Sequence, residues 1–131
     1  KRISLWYNKQ AMKITRIFSF SAAHHLTQYK GACERPHGHT YRLAVTVEGS
    51  IGENGLVLDF VELKKIVGRK VVERVDHRDL NDLFKNPSAE NIAVWAWKQL
   101  KNIGKDTKTR VELVEITLWE GENTYVTYDG N

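Results

Sequence analysis

The chain has 131 residues, 41% of them hydrophobic and 27% charged, with a formal net charge of +4. That is the length of one domain and the composition of a soluble globular protein, with no apolar run near the ~20 residues a membrane span needs. One cysteine excludes an internal disulfide and leaves a free thiol, which fits a reducing, cytoplasmic setting; KRISLWYNKQAM has no apolar segment of signal-peptide length.

Residues 1–12 are expected to form an extension before the first strand, with Met12 a candidate alternative start. From Lys13 to His24 the residues alternate as a strand. Phe18, Phe20 and Ala22 share one face, and Thr15, Ser19 and Ser21 the other. Gly31 and Pro36 mark a loop. HTYRLAVTVEG is a second strand, with Tyr41, Leu43, Val45 and Val47 on one face. SIGENG is turn-rich.

DFVELKKIVGRKVVERV has the period of a helix, with Phe60, Leu63, Val67 and Val71 as its stripe. Asp59 and Glu62 have the form of a capping box at its start. Pro87 and Ser88 open a second helix, in which Ile92, Trp95, Ala96 and Leu100 form the stripe and Gly104 marks the end. RVELVEITLWE and NTYVTYD are two closing strands, with Val114, Ile116, Leu118 and Glu120 at one parity. The order strand, strand, helix, helix, strand, strand predicts an α+β domain over residues 13–131, a four-stranded antiparallel sheet with both helices on one face. Lys64, Lys65, Arg69 and Lys70 are the densest basic cluster; they read as a solvated helix face or as a contact for an anionic partner. The chain has no nucleic-acid recognition motif, and neither nucleic acid nor membrane is expected as a partner.

CERPHGH, residues 33–39, concentrates the chemistry. His37 and His39 are two apart, so on a strand both imidazoles point one way. His24 has the parity of the apolar face of the first strand. If the two strands pair with these faces together, three histidines converge at one end of the sheet. Three neutral imidazoles suit zinc and leave a fourth position open, as in catalytic sites. With Cys33 as a fourth ligand, a closed structural site is the alternative. His25, at the opposite parity, faces solvent or donates a supporting hydrogen bond.

Cys33 lies in a charged loop beside Arg35, where a thiol near a cation has a lowered pKa and serves as base or nucleophile. Asp76 and His77 form a carboxylate–imidazole pair in VDHRDLN, although adjacent residues do not face each other on a regular element; Asp76 as a cap for the following turn is the alternative. Glu120 carries a charge along an apolar parity, which suits either a strand rim or an acceptor for a paired N–H ligand.

Six blocks in order, FSAAHHL, CERPHGH, GLVLDFVELKK, VDHRDLN, NPSAENIAVWAW and LWEG, resemble the 6-pyruvoyltetrahydropterin synthase and 6-carboxytetrahydropterin synthase family from about Lys13 to the C-terminus. The resemblance implies a tunnelling fold (T-fold) in barrel-like homo-oligomers, often hexamers of two trimers, with active sites at subunit interfaces. It implies that His24, His37 and His39 hold Zn2+ and that Cys33 is the proton-abstracting thiolate. Asp76 and His77 become the proton relay, with His77 the acid/base, and Glu120 grips the guanidine-like edge of the pterin and joins the relay as a further catalytic residue. The implied substrate is 7,8-dihydroneopterin triphosphate. Cys-x-x-x-His-Gly-His resembles the 6-carboxy-5,6,7,8-tetrahydropterin synthases of the queuosine and 7-deazapurine route, which release triphosphate and acetaldehyde. A 6-pyruvoyl product is the alternative, and Glu34 beside Cys33 opens a third, side-chain cleavage to 6-hydroxymethyldihydropterin for folate. Ser88-Ala89-Glu90 departs from the family's Thr-Ser or Thr-Thr before Glu, which removes one hydroxyl from the expected pterin wall. Outside the enzymes, the competing expectation is a zinc-stabilised binding module.

Overall fold

The computed structural model describes residues 10–28 and 30–131. Two long strands, β1 (Ala11–His24) and β2 (His37–Ser50), form an antiparallel pair in register along their whole length, from Ala11 opposite Ser50 to His24 opposite His37. Of the expected extension, residues 1–9 lie outside the described residues, whereas Ala11 and Met12 belong to β1. β2 then pairs with β4 (Val111–Trp119), and β4 with β5 (Tyr125–Tyr128), both antiparallel.

The expected four antiparallel strands are thus present, and a fifth joins them. β3 (Arg78–Asp79) is two residues long and runs parallel to β1 beside Ala22 and Ala23, giving the order β3-β1-β2-β4-β5. No alternation marks so short a strand. It forms because the chain leaving the first helix passes the end of β1, where its backbone finds open hydrogen-bonding groups.

The inward face of the sheet is apolar. Phe20, Tyr41, Leu43, Val45, Val47, Ile116 and Leu118 are all buried against the helices. Along β4 the register with β2 shifts between Thr46 and Val47, so Leu113 pairs with Val47 and Glu115 with Thr46. Val114 is the extra residue of this bulge, which is why Leu113 and Val114 are both buried although they differ in parity. The outer face carries hydroxyl pairs, Thr15 with Thr46 at 2.7 Å and Thr117 with Thr127 at 3.3 Å, and the Arg42 guanidinium lies 4.6 Å from the Trp119 ring.

The first helix is one rod in three parts: α1 (Phe60–Val67), a wide π turn (Gly68–Val72) and α2 (Glu73–Val75). Leu63, Val67, Val71 and Val75 face the sheet at a strict four-residue spacing, and all four are buried. An ideal helix would rotate such a row by ~40° per step; the wider turn takes up that drift. Phe60, expected in the stripe, is 47% exposed, and Ile66 takes its place. Asp59 caps the helix by accepting from Val61 N at 2.8 Å, but Glu62 does not close the box: its carboxylate accepts from Lys108 N at 3.1 Å. The second helix, α3 (Ala89–Leu100), is capped by Ser88, whose hydroxyl accepts from Asn91 N, and buries Ile92, Ala93, Ala96 and Leu100. Trp95, placed in that stripe from the sequence, is half-buried beside Phe84 and Arg74. No described helix is long and apolar enough to cross a membrane.

Candidate functional site

Register alone assembles the centre of the site. His24 and His37 are direct partners across β1 and β2, and His39 stands opposite Ala22, whose methyl leaves room for the rings. The three rings lie 4.6, 4.7 and 5.0 Å apart, edge to face. One nitrogen from each lies within 4.8 Å of the others, and among the described residues these three form the group able to hold a metal ion. Cys33 is not part of that group.

Backbone carbonyls set two of the tautomers. His24 Nδ1 donates to Pro87 O and His37 Nδ1 donates to Arg35 O, both at 2.7 Å. A carbonyl only accepts, so each Nδ1 carries the proton and each Nε2 presents a lone pair. His24 is 2% exposed, and Nε2 of both His24 and His39 is buried with no hydrogen-bond partner among the described residues. Burial, opposed by the charge of Glu120 and aided by His24 and His37, holds His39 below the ordinary imidazole pKa and so favours the neutral, ligating form. Orphaned inward nitrogens and a donor set of three imidazoles fit a zinc ion.

Glu120 completes this end of the sheet. Its carboxylate oxygens are 3.7 Å from His24 Nε2 and 3.8 Å from His39 Nε2, too long for hydrogen bonds. Its backbone N–H donates to Thr124 O at 3.1 Å, which closes the β4–β5 turn. Glu120 also lines an open cleft of about 280 Å³ with Leu26, Ser88, Ala89, Thr124 and Tyr125. The N-terminus of α3 forms one wall, and Ala89 stands there in place of a hydroxyl.

Asp76 and His77 do meet, by a route that regular geometry does not offer. His77 has φ 59°, the left-handed region, and this turns its ring back so that Nδ1 lies 3.0 Å from Asp76 Oδ1. The turn is pinned at both ends: His77 N donates to Ser21 O at 2.6 Å, and Ser21 N donates to Asp76 Oδ1 at 2.9 Å. The Ser21 bond, with the lesser help of His77 and against some desolvation, holds the Asp76 carboxyl below its usual pKa. The His77 side chain is 83% exposed and borders a groove with Ser21, Ala23, Gly38, Thr40 and Arg78. Asn81 clips this segment to the end of β1, accepting from His25 N at 2.9 Å and donating to His25 O at 3.1 Å. The His25 ring accepts from the same amide, with Asn81 Nδ2 3.3 Å from its Nε2, so it packs half-buried against Asn81 instead of facing open solvent.

Cys33 is half-buried in a 3-10 turn, Ala32–Glu34, that docks on the end of β1 through a bond from Leu26 N to Cys33 O at 2.8 Å. Glu34 is exposed. The structure thus gathers His24, His37, His39 and Glu120 at one point and sets the Asp76–His77 pair on a separate groove that also reaches His39. Tyr41 was read from the sequence as a core residue; it lies beneath the histidines, with its ring 5.5 Å from that of His39. Two residues beyond His39 on the same face, it could have been found by the alternation that grouped the histidines.

Residues 13–131 match the family model described as 6-pyruvoyl tetrahydropterin synthase. The chain is 45% identical over 104 residues to a dihydroneopterin monophosphate aldolase of Pyrococcus furiosus, covering 79% of this chain and 84% of that protein. It is 37% identical over 109 residues to a 6-carboxy-5,6,7,8-tetrahydropterin synthase of Synechocystis, with 78% and 84% covered. Its fold superposes on the structure of Caenorhabditis elegans 6-pyruvoyl tetrahydropterin synthase with a TM-score of 0.81 at 28% identity, over 95% of this chain and 99% of that one.

Proposed function

The chain belongs to the 6-pyruvoyl tetrahydropterin synthase family of pterin metabolism, and on that premise we propose that it is a zinc-dependent lyase that shortens the side chain of a 7,8-dihydroneopterin phosphate. The observation that carries this reading is the convergence of His24, His37 and His39 on one point, with the Glu120 carboxylate beside them at the mouth of a cleft.

His24, His37 and His39 would hold the ion. Bound there, zinc would supply Lewis acidity toward the hydroxyls of the substrate side chain. Glu120, an acceptor with two oxygens, takes the paired N–H groups of the pterin ring and fixes which way the side chain points. Cys33 as thiolate removes a proton from the side chain. His77, oriented by Asp76, accepts and returns protons as a general acid/base. Among the described residues the Asp76–His77 groove and the Glu120 cleft are distinct surfaces, and this supports a site completed by a second copy of the chain in a homo-oligomer such as a hexamer. The reading includes a cytoplasmic location, with which a single free thiol is consistent.

For the product, the spacing Cys33-x-x-x-His37-Gly38-His39 and the Synechocystis relative favour 6-carboxy-5,6,7,8-tetrahydropterin, made from the triphosphate with release of triphosphate and acetaldehyde, as a step toward queuosine. A second reading rests on the Pyrococcus relative and on Glu34 beside Cys33: retro-aldol cleavage of the monophosphate to 6-hydroxymethyldihydropterin and glycolaldehyde phosphate. Incubation of the zinc-loaded protein with each phosphate, followed by mass spectrometry, separates them by the aldehyde released. Acetaldehyde supports the first reading and glycolaldehyde phosphate the second. A 6-pyruvoyl product with no aldehyde contradicts both. A metal shell of four protein ligands that includes Cys33 would instead mark a structural zinc module.

A further inference from the structure

Tyr41 is wholly buried, yet its hydroxyl has no hydrogen-bond partner among the described residues. Such an oxygen costs about 1–3 kcal/mol. Its ring stacks on Phe20 at 4.8 Å and 9°, a contact that a phenylalanine would make equally well without that cost. The oxygen therefore needs a physical reason, and the sheet register supplies one.

Arg42 pairs with Trp119 and Leu43 with Leu118. The ladder ends at the first of these pairs, and the next residue on each chain is Tyr41 on β2 and Glu120 just beyond β4, so the two flank the last rung of the pairing. Both residues approach the same two rings: Tyr41 lies 5.5 Å from His39 and 6.0 Å from His24, centroid to centroid, and the Glu120 oxygens lie 3.8 and 3.7 Å from their Nε2 atoms. The Tyr41 phenol O–H is a donor, and the Glu120 carboxylate is an acceptor.

We propose that Tyr41 is a positioning residue for Glu120: its buried hydroxyl, which makes no direct bond, donates to the Glu120 carboxylate through one enclosed water and fixes the oxygens that receive the ligand. The bond aims the carboxylate across the mouth of the cleft and uses one of its lone pairs, which leaves a defined pair free for the two N–H groups of a heterocycle. The effect on ligand binding rests on the pterin reading given above; the bond itself does not.

The test is a double-mutant cycle of Tyr41→Phe and Glu120→Ala on the zinc-loaded protein, read in two ways. Thermal melting without ligand reports the bond. Tyr41→Phe should lower the melting temperature by several degrees in the parent protein and not at all in the Glu120→Ala background. Equal effects in both backgrounds, or none in either, overturn the proposal. The dissociation constant of neopterin, followed by its fluorescence, reports the positioning; Tyr41→Phe should weaken it about tenfold, and again not in the Glu120→Ala background. Neopterin affinity that Glu120→Ala weakens and Tyr41→Phe leaves unchanged also overturns it. If neopterin binds to none of the four proteins, the pterin reading fails, and the melts alone decide the role of Tyr41.

Discussion

Zinc should stabilise this protein through His24, by an amount the structure makes calculable. Without metal, Nε2 of His24 and of His39 are buried and unmatched, each a cost of about 1–3 kcal/mol. A ligand that binds the folded state alone adds about 2.7 kcal/mol at a hundredfold excess over its dissociation constant. At about 2.1 cal/mol/K per residue, a cooperative unit of 131 residues has an unfolding entropy of about 0.28 kcal/mol/K. The quotient is a rise in melting temperature of about 10 °C. The assay is differential scanning calorimetry of chelator-stripped protein with and without zinc, for the parent and for His24→Ala. The parent should gain the full shift and the variant almost none, because two imidazoles do not replace three. A parent that ignores zinc, or a variant that gains as much as the parent, would refute the reasoning.

Cys33→Ala should leave zinc uptake and melting temperature nearly unchanged, since Cys33 is outside the ligand group and only half-buried, while lowering kcat at least a hundredfold; metal analysis and turnover measured on one preparation check both. His77→Gly relieves a left-handed φ of 59° in a non-glycine residue, a strain of about 1 kcal/mol, so the melting temperature should rise by roughly 3–4 °C while activity falls. A melting temperature that falls would show that the Asp76 contact outweighs the strain. Asp76 has a folded pKa below its unfolded one, so its contribution to stability is complete above the ordinary carboxylate value of 3.8 and is lost as the pH falls below it. Urea unfolding between pH 5 and pH 2.5 should therefore show a steeper loss in the parent than in Asp76→Asn.

Much of the site was legible because it depends on period-two alternation. Parity put His37 and His39 together, tied His24 to the apolar face, and carried Glu120 along the row of Ile116 and Leu118. Where the structure departs from alternation, the sequence was silent or misleading. The bulge at Val114 changes parity within β4, yet Glu120 lies beyond it and keeps the phase of Ile116. The π turn rephases the first helix, which is why a stripe drawn through Phe60 fails at its first member. Asp76 and His77 touch because of one positive φ in a non-glycine residue, and nothing in VDHRDLN announces it. The β3 pairing depends on where the chain emerges in space, and so does the Asn81 clip. The 3.6-residue period of α3 is clear, but the half-exposed position of Trp95 follows from packing against Arg74 and Phe84.

The bonds that orient His24 and His37 end on the carbonyls of Pro87 and Arg35. Main-chain oxygens survive every substitution of the side chains that bear them. The orientation of His24 and His37 therefore depends on where the backbone runs at 35 and 87, which at 87 the proline ring helps to fix, and not on polar side chains there. Ser88, Ala89 and Glu90 follow directly on Pro87 and line the cleft. Substitutions there can reshape the wall that a substrate meets while the carbonyl that steadies His24 stays in place. The orientation of these histidines thus rests on backbone and the lining of the cleft on side chains, so a change in one need not disturb the other.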